Sequence, residues 1–297
     1  MMEELAIALT FGVLQGSVYS LVALGIVLVY RVSGVFNFAQ AEFGTTGLFG
    51  AYIAVVLWEW PFYLGLLFGL VVAIVMGLLT ERLVIHPLRN QSKVTLLVGT
   101  AGVALTVIGI QFWQFNDPLI RQLPKISDAV YVTPFGAPIM AQQLITLAVL
   151  IVAAAALAVF LKSPAGLAMQ AAQQEPVACE LVGVSVRRVS MMTWGIAALL
   201  GGLAGVLSGA YTIFTAGFLT FGVGKALLPG FIAAVLAGMK SMPGAVAGGL
   251  VVGIVEQFGG LKMFGDVPGA SALLLLVFLV VVLLLRPQGL LVRKATA

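Results

Sequence analysis

Apolar runs of about 18 to 25 residues recur along the chain, each long enough to cross ~30 Å of hydrocarbon as a helix. Leu5 to Tyr30 reads as the first span, stopped by Arg31. From Val32 to Gly50 the apolar run is interrupted by Ser33, Gly34, Asn37, Gln40, Glu42, Gly44, Thr45 and Thr46. That pattern predicts a broken or re-entrant helix feeding a second span, which ends at the interfacial aromatic anchor Trp58-Glu59-Trp60-Pro61. Phe62 to about Leu83 is span three, Arg82 to Lys93 a short basic loop, and Val94 to Phe115 span four. Asn116 to Gln143 carries four prolines and balanced charge, which predicts an external loop with one short interfacial helix.

Leu144 to Leu161 gives span five, followed by a polar island, Gly166 to Arg188. Within it Leu167 to Gln174 forms a short amphipathic helix, Pro176 starts a second, and Gly183 ends that one before Arg187-Arg188 anchors span six, Val189 to Ile213. Gly201, Gly205 and Gly209 make a small-residue ridge for close helix packing on that span. Thr215 to Gly230 is broken again, by Gly217, Gly222, Gly224, Lys225 and Pro229. Phe231 to Met239 is too short to span alone, so either Ala226 onward contributes or the segment is re-entrant. Ala245 to Phe258 and Ala272 to Leu285 follow, the last stopped by Arg286-Pro287-Gln288-Gly289. One interrupted segment in each half fits paired discontinuous helices, although shared glycine content alone would give the same impression.

Composition agrees with a membrane protein: 61% of the 297 residues are hydrophobic and 9% charged, against roughly one-quarter charged in soluble domains. Backbone groups in lipid leave helices or closed barrels, and no period-2 alternation supports a barrel. The expected fold is therefore all-α, a polytopic transmembrane bundle of about eight to nine spans with broken or re-entrant helices, one domain over 1–297 carrying a cytoplasmic segment at about 163–188. The acidic start, Glu3-Glu4, is unlike the basic n-region of a removable signal peptide. Arg31, Arg82, Arg89, Lys93, Lys162, Arg187, Arg188, Lys240, Arg286, Arg293 and Lys294 fall on one side, against Arg121, Lys125, Lys225 and Lys262 on the other. The positive-inside rule makes the first side the cytoplasm, with the C-terminus inside and the N-terminus outside over about nine crossings; a re-entrant Ala226 to Met239 would change the parity and move the N-terminus.

Candidate chemistry is sparse. Single Cys179 and single His86 exclude an intrachain disulfide and argue against a metal centre made by this chain alone. Gly224-Lys225 lacks the glycine and the Ser or Thr of a phosphate loop, so no nucleotide site is expected, and no catalytic constellation or nucleic-acid face is apparent. Asn37, Gln40, Glu42 and Phe43 form a polar patch that lines or gates a route, or else fixes the broken helix to its neighbours; Glu42 is placed near the cytoplasmic end. Glu256, beside Gln257, reads as an acid near the external interface, and Lys225 and Lys240 as snorkelling interfacial residues. The polar island reads as a docking surface for a partner's groove, with Gln170, Gln174, Glu175, Glu180 and Gly183 as candidate contacts, or else as an ordinary connecting loop; its length and helix-forming content favour docking.

Gly16-Ser17-Val18-Tyr19-Ser20-Leu21-Val22-Ala23-Leu24-Gly25, Val35 to Phe43, Glu81-Arg82 with Pro87-Leu88-Arg89, Ala233 to Met239 running into Pro243-Gly244-Ala245, and Arg286 to Leu290 together carry a resemblance. On them the chain resembles the inner-membrane permeases of branched-chain amino-acid ABC importers. That resemblance implies a bacterial inner-membrane subunit, itself not an enzyme and binding no cofactor. Its partners would be a second related permease, two nucleotide-binding ATPase subunits that use ATP and magnesium, an external solute-binding protein and membrane lipid. It places the coupling segment on Gly166 to Ser185, with Ala178-Cys179-Glu180-Leu181-Val182-Gly183 as its loop motif. Gln40-Ala41, Gln174-Glu175 and Lys240 depart from the family's usual residues, which leaves the solute open among branched-chain amino acids, urea, short amides, other amino acids and aromatic acids.

Overall fold

The structure, a computed structural model, describes residues 2–115, 121–132, 136, 138–222, 224–264 and 267–285. The predicted stop at Arg286 to Gly289, the C-terminus and part of the Asn116 to Gln143 loop lie outside the described residues. The bundle opens with α1 (Met2–Ser33), α2 (Gln40–Tyr52) and α3 (Phe62–Thr80), the last ending in the three-residue α4 (His86–Leu88), and continues with α5 (Lys93–Gln114), α6 (Ala141–Phe160) and α9 (Val186–Ser208). Between α6 and α9 lie the short helices α7 (Pro164–Gln174) and α8 (Pro176–Leu181); α10 (Leu227–Leu236), α11 (Met242–Phe258) and α12 (Ala270–Leu285) complete the bundle. Among the described residues, five stretches are long and apolar enough to cross a membrane: Glu3–Ser33, Phe62–Leu88, Lys93–Gln114, Ala141–Phe160 and Val186–Ser208.

Most helix starts have a local cause. Ser92, Ser163, Ser185 and Ser241 each cap the helix that follows, their hydroxyls accepting a backbone N–H from Thr95, Gly166, Arg188 and Gly244. Pro164 and Pro176 sit in the first turn, where a missing N–H costs nothing. The first break comes at Gly34, whose φ of +65° suits a residue without Cβ, and helix resumes at Gln40. The second runs from the end of α9 to Leu227.

Glycines set the helix crossings. α1 and α11 pack antiparallel so closely that a Cβ on Gly16 would stand 2.7 Å from the Gly249 carbonyl oxygen. α2 and α9 run parallel: a Cβ on Gly44 would lie 2.5 Å from the Gly201 carbonyl oxygen, and one on Gly205 would collide with the backbone of Gly44. Gly209 faces the Leu48 side chain, so the predicted ridge of Gly201, Gly205 and Gly209 is the seat of α2. Lipid-ward faces stay apolar and exposed, as at Leu64, Leu67, Val71 and Val75 on α3.

Two expectations are corrected. Arg82 to Lys93 is not a loop: a π-helical turn, Glu81–Ile85, carries α3 directly into α4, and only the few residues before Ser92 are irregular. Charged residues there extend the helix beyond the apolar span rather than ending it. The connection between α5 and α6 holds no helix among its described residues. Instead β1 (Val130–Val132) pairs antiparallel with β2 (Pro138–Met140), and Arg121 bridges to Phe214. Prolines there leave short extended pieces that pair with each other and with the second break.

Candidate functional site

The two breaks meet. Glu42, in the first turn of α2, is fully buried, and both carboxylate oxygens are occupied: the Thr220 hydroxyl donates to Oε1 at 2.5 Å and Gln111 Nε2 donates to Oε2 at 3.0 Å. Gln111 Oε1 in turn accepts the Gly217 N–H at 2.9 Å, and Thr45 Oγ1 accepts the Leu219 N–H at 3.2 Å. Gln111 lies in the last turn of α5, at the far end from Lys93, so Glu42 is deep in the bundle rather than near the Lys93 end as the sequence suggested. Its neighbours are as enclosed. Asn37 donates to Gln40 at 3.3 Å, Gln40 donates to the Ala197 carbonyl at 2.8 Å, and Phe43 stands edge-on to buried Trp194. Asn37 and Gln40 thus bond towards α9, Glu42 joins α5 and residues 217–220 in a separate polar seam, and Phe43 packs on Trp194, all four side chains closed to solvent.

A second polar centre was not anticipated. The Tyr19 hydroxyl, on α1, donates to Glu256 Oε2 on α11, and Gln15 donates to the same hydroxyl oxygen at 3.2 Å. Glu256 sits on the wall of two cavities. One, about 240 Å³, is polar and lined by Gln15, Tyr19, Ser208, Tyr211, Thr212 and Gln257 among others. The other, about 330 Å³, is largely apolar, lined by Lys225, Leu228, Ile232, Leu275, Leu276 and Leu279 among others. Lys225 adopts φ +31°, an uncommon conformation for a side-chain-bearing residue. Glu256, read from the sequence as an acid near an interface, lines both cavities from the last turn of α11; the available signal was an intramembrane acid next to Gln257.

Below the bundle, α7 and α8 form the expected helical pair, closed by Gly183 at φ +84°. Met169 and Cys179 anchor them inward. Gln174, Glu175, Glu180 and Gly183 point outward, while Gln170 is held by the Leu161 carbonyl at 2.9 Å. Sequence reasoning stressed polar contacts, yet the most prominent exposed side chains are apolar: Val177, Leu181 and Val182. Where α1, α4, α7 and α9 converge, Glu81 Oε2 is buried without a hydrogen-bond partner beside a cavity of about 150 Å³ that His86, Arg89 and Arg187 also line. Among the described residues no group of His, Cys, Asp and Glu is placed to hold a metal.

A helical membrane bundle with two discontinuous segments joined at a polar seam, and a helical pair standing outside it, defines a transport subunit of the permease class. The family model described as branched-chain amino acid transport system / permease component matches residues 8–285, and the chain belongs to that family. It is similar to the high-affinity branched-chain amino acid transport system permease LivH of Escherichia coli K12, 28% identical over 95% of this chain and 94% of the relative. BraD of Pseudomonas aeruginosa, a permease of the same description, is 29% identical over 95% and 94%. A probable branched-chain amino acid transport permease LivH of Methanocaldococcus jannaschii is 26% identical over 93% and 91%. No solved structure matches significantly.

Proposed function

We propose that the chain is a single-domain, multi-pass permease subunit of an ATP-driven importer for branched-chain amino acids in the bacterial inner membrane, crossing about nine times with its C-terminus in the cytoplasm. ATP and magnesium are used by two separate ATPase subunits; a second related permease completes the pore and an external binding protein delivers solute. The observation that carries this reading is the α7–α8 pair: it leaves Val177, Leu181 and Val182 exposed outside the bundle while Met169 and Cys179 tie it inward. Apolar side chains on a short helical pair are anchors for a groove in a partner, and contacts of that pair with α1 and α9 carry movement inward.

In this reading the region about 163–188 is the coupling segment, with Gln170, Gln174, Glu175, Glu180 and Gly183 shaping its docking face. The group of Asn37, Gln40, Glu42 and Phe43 is the gate, whose hydrogen bonds rearrange when ATP-driven closure favours the alternative packing. Leu181→Asp, in the reconstituted transporter, is expected to lower ATP-dependent leucine uptake at least ~10-fold and to weaken co-purification of the ATPase subunits, as loss of a central apolar anchor worth ~2 kcal/mol or more would. Wild-type uptake and wild-type co-purification would overturn the coupling role.

A further inference from the structure

We propose that the paired cavities at Glu256 form a binding site for the zwitterion of an aliphatic α-amino acid, in transit through this subunit. The inference rests on the transport reading above and assigns its solute a place and a chemical class.

Three features of the site match three parts of such a molecule. An ammonium group needs a carboxylate and hydroxyl acceptors, and the smaller cavity offers Glu256 with Tyr19, Tyr211, Ser208 and Thr212 around it. Tyr19 donates to Glu256 Oε2, which orients the carboxylate and leaves Oε1 for the ligand. The ligand's carboxylate needs a cation, and Lys225 stands on the wall of the larger cavity that Glu256 also lines. Lys225 precedes Leu227, the first residue of α10, so the positive end of that helix's dipole lies on the same side. The aliphatic side chain needs an apolar surface, which buried Ile232 and Leu275 and half-buried Leu279 supply, with the exposed Leu228 and Leu276 at the rim. At about 240 and 330 Å³ the two spaces stand near the lower end of the ~300–1,000 Å³ typical of small-ligand sites, as suits a solute of modest size.

Placement supports the same conclusion. α10 has ten residues, about 15 Å of helix, half of what ~30 Å of hydrocarbon requires. Discontinuous helices of this kind bring their ends and charged groups to solute sites inside the membrane. Lys225 also holds a left-handed φ of +31°, and sparsely populated backbone conformations concentrate at ligand clamps. The segment carrying Lys225 is fastened through Thr220 to Glu42, so the site and the seam share one moving part.

The pattern discriminates among small solutes. Urea and short amides have no use for an aliphatic surface beside a pair of opposite charges. An aromatic acid lacks the ammonium group that Glu256 would hold.

The test uses the complete transporter in proteoliposomes with its binding protein, measuring ATP-driven uptake of radiolabelled leucine and valine. Glu256→Gln and Lys225→Met are each expected to reduce leucine uptake at least ~10-fold, the loss that follows from removing one charge-assisted contact of about 1.5–3 kcal/mol. Lys225→Arg is expected to restore most of the lost rate, which a purely structural defect would not allow. Ile232→Phe, which narrows the aliphatic slot, is expected to lower the leucine-to-valine uptake ratio at least ~3-fold. Leucine uptake at the wild-type rate in both charge variants, or an unchanged ratio in Ile232→Phe, overturns the site. Failure of the wild-type complex to move any amino acid would instead overturn the transport reading.

Discussion

Gly205→Ala is expected to destabilise the folded subunit by ~3 kcal/mol or more, and Gly205→Val to abolish recovery of monodisperse protein. A Cβ at 205 would stand only 2.9 Å from Gly44 Cα and closer still to that residue's carbonyl group. The obstacle is backbone on a neighbouring helix, which moves only if the whole crossing opens; ordinary overpacking costs ~1–3 kcal/mol where side chains can yield. The α2–α9 crossing repeats the motif at Gly44 against Gly201 and at Gly47 against Gly202, and Gly47 also meets Gly69 of α3, so a shift at one level disturbs the next. Gly102 is the control. A Cβ there meets nothing within 4 Å, and Gly102→Ala is expected to be neutral or stabilising by up to ~1 kcal/mol through helix propensity. Thermal unfolding in detergent, followed by tryptophan fluorescence, measures both. Equal unfolding of Gly205→Ala and Gly102→Ala would show that α2 does not sit on this ridge.

What the sequence made legible was largely local chemistry. Gly34 and the glycine-rich run after Thr215 mark the two breaks because a left-handed φ or a lost helical hydrogen bond leaves its mark on residue type. Pro176 and Gly183 bound α8 for the same reason, whereas α7 starts at Pro164 behind the Ser163 cap, three residues before the Leu167 that the hydrophobic pattern suggested. Other features depend on residues far apart in the chain. Tyr19 and Glu256 are 237 positions apart, and neither is unusual until α1 and α11 cross at their glycines. The Arg82 to Lys93 stretch looked like a loop because charge ends an apolar run, but charge does not end a helix. A π turn there lets Glu81 remain buried while Arg82 faces out. The hairpin of β1 and β2 comprises six residues, too short for its alternation to stand out among prolines.

Glu42→Ala is expected to cost ~1–3 kcal/mol, because it strips the acceptor from the half-buried Thr220 hydroxyl and leaves buried Gln111 Nε2 with only the long contact to the Thr46 hydroxyl at 3.4 Å. Glu42→Gln predicts a different result. Gln111 is fixed in orientation by the Gly217 N–H on its own Oε1, so its Nε2 keeps facing position 42 as well as the Thr46 hydroxyl, and a glutamine carbonyl at 42 replaces the shorter of those two acceptors. The new amide group then donates to Thr220, whose hydroxyl can turn to accept. Both links survive without the charge, and stability is expected within ~1 kcal/mol of wild type. Thr220→Val combined with Glu42→Ala should show a coupling of ~0.5–3 kcal/mol in a double-mutant cycle, since the two residues share one hydrogen bond. Full stability in Glu42→Ala would remove the seam as the joint between the breaks. A stable Glu42→Gln that no longer transports would show that the charge, beyond its hydrogen bonds, takes part in gating.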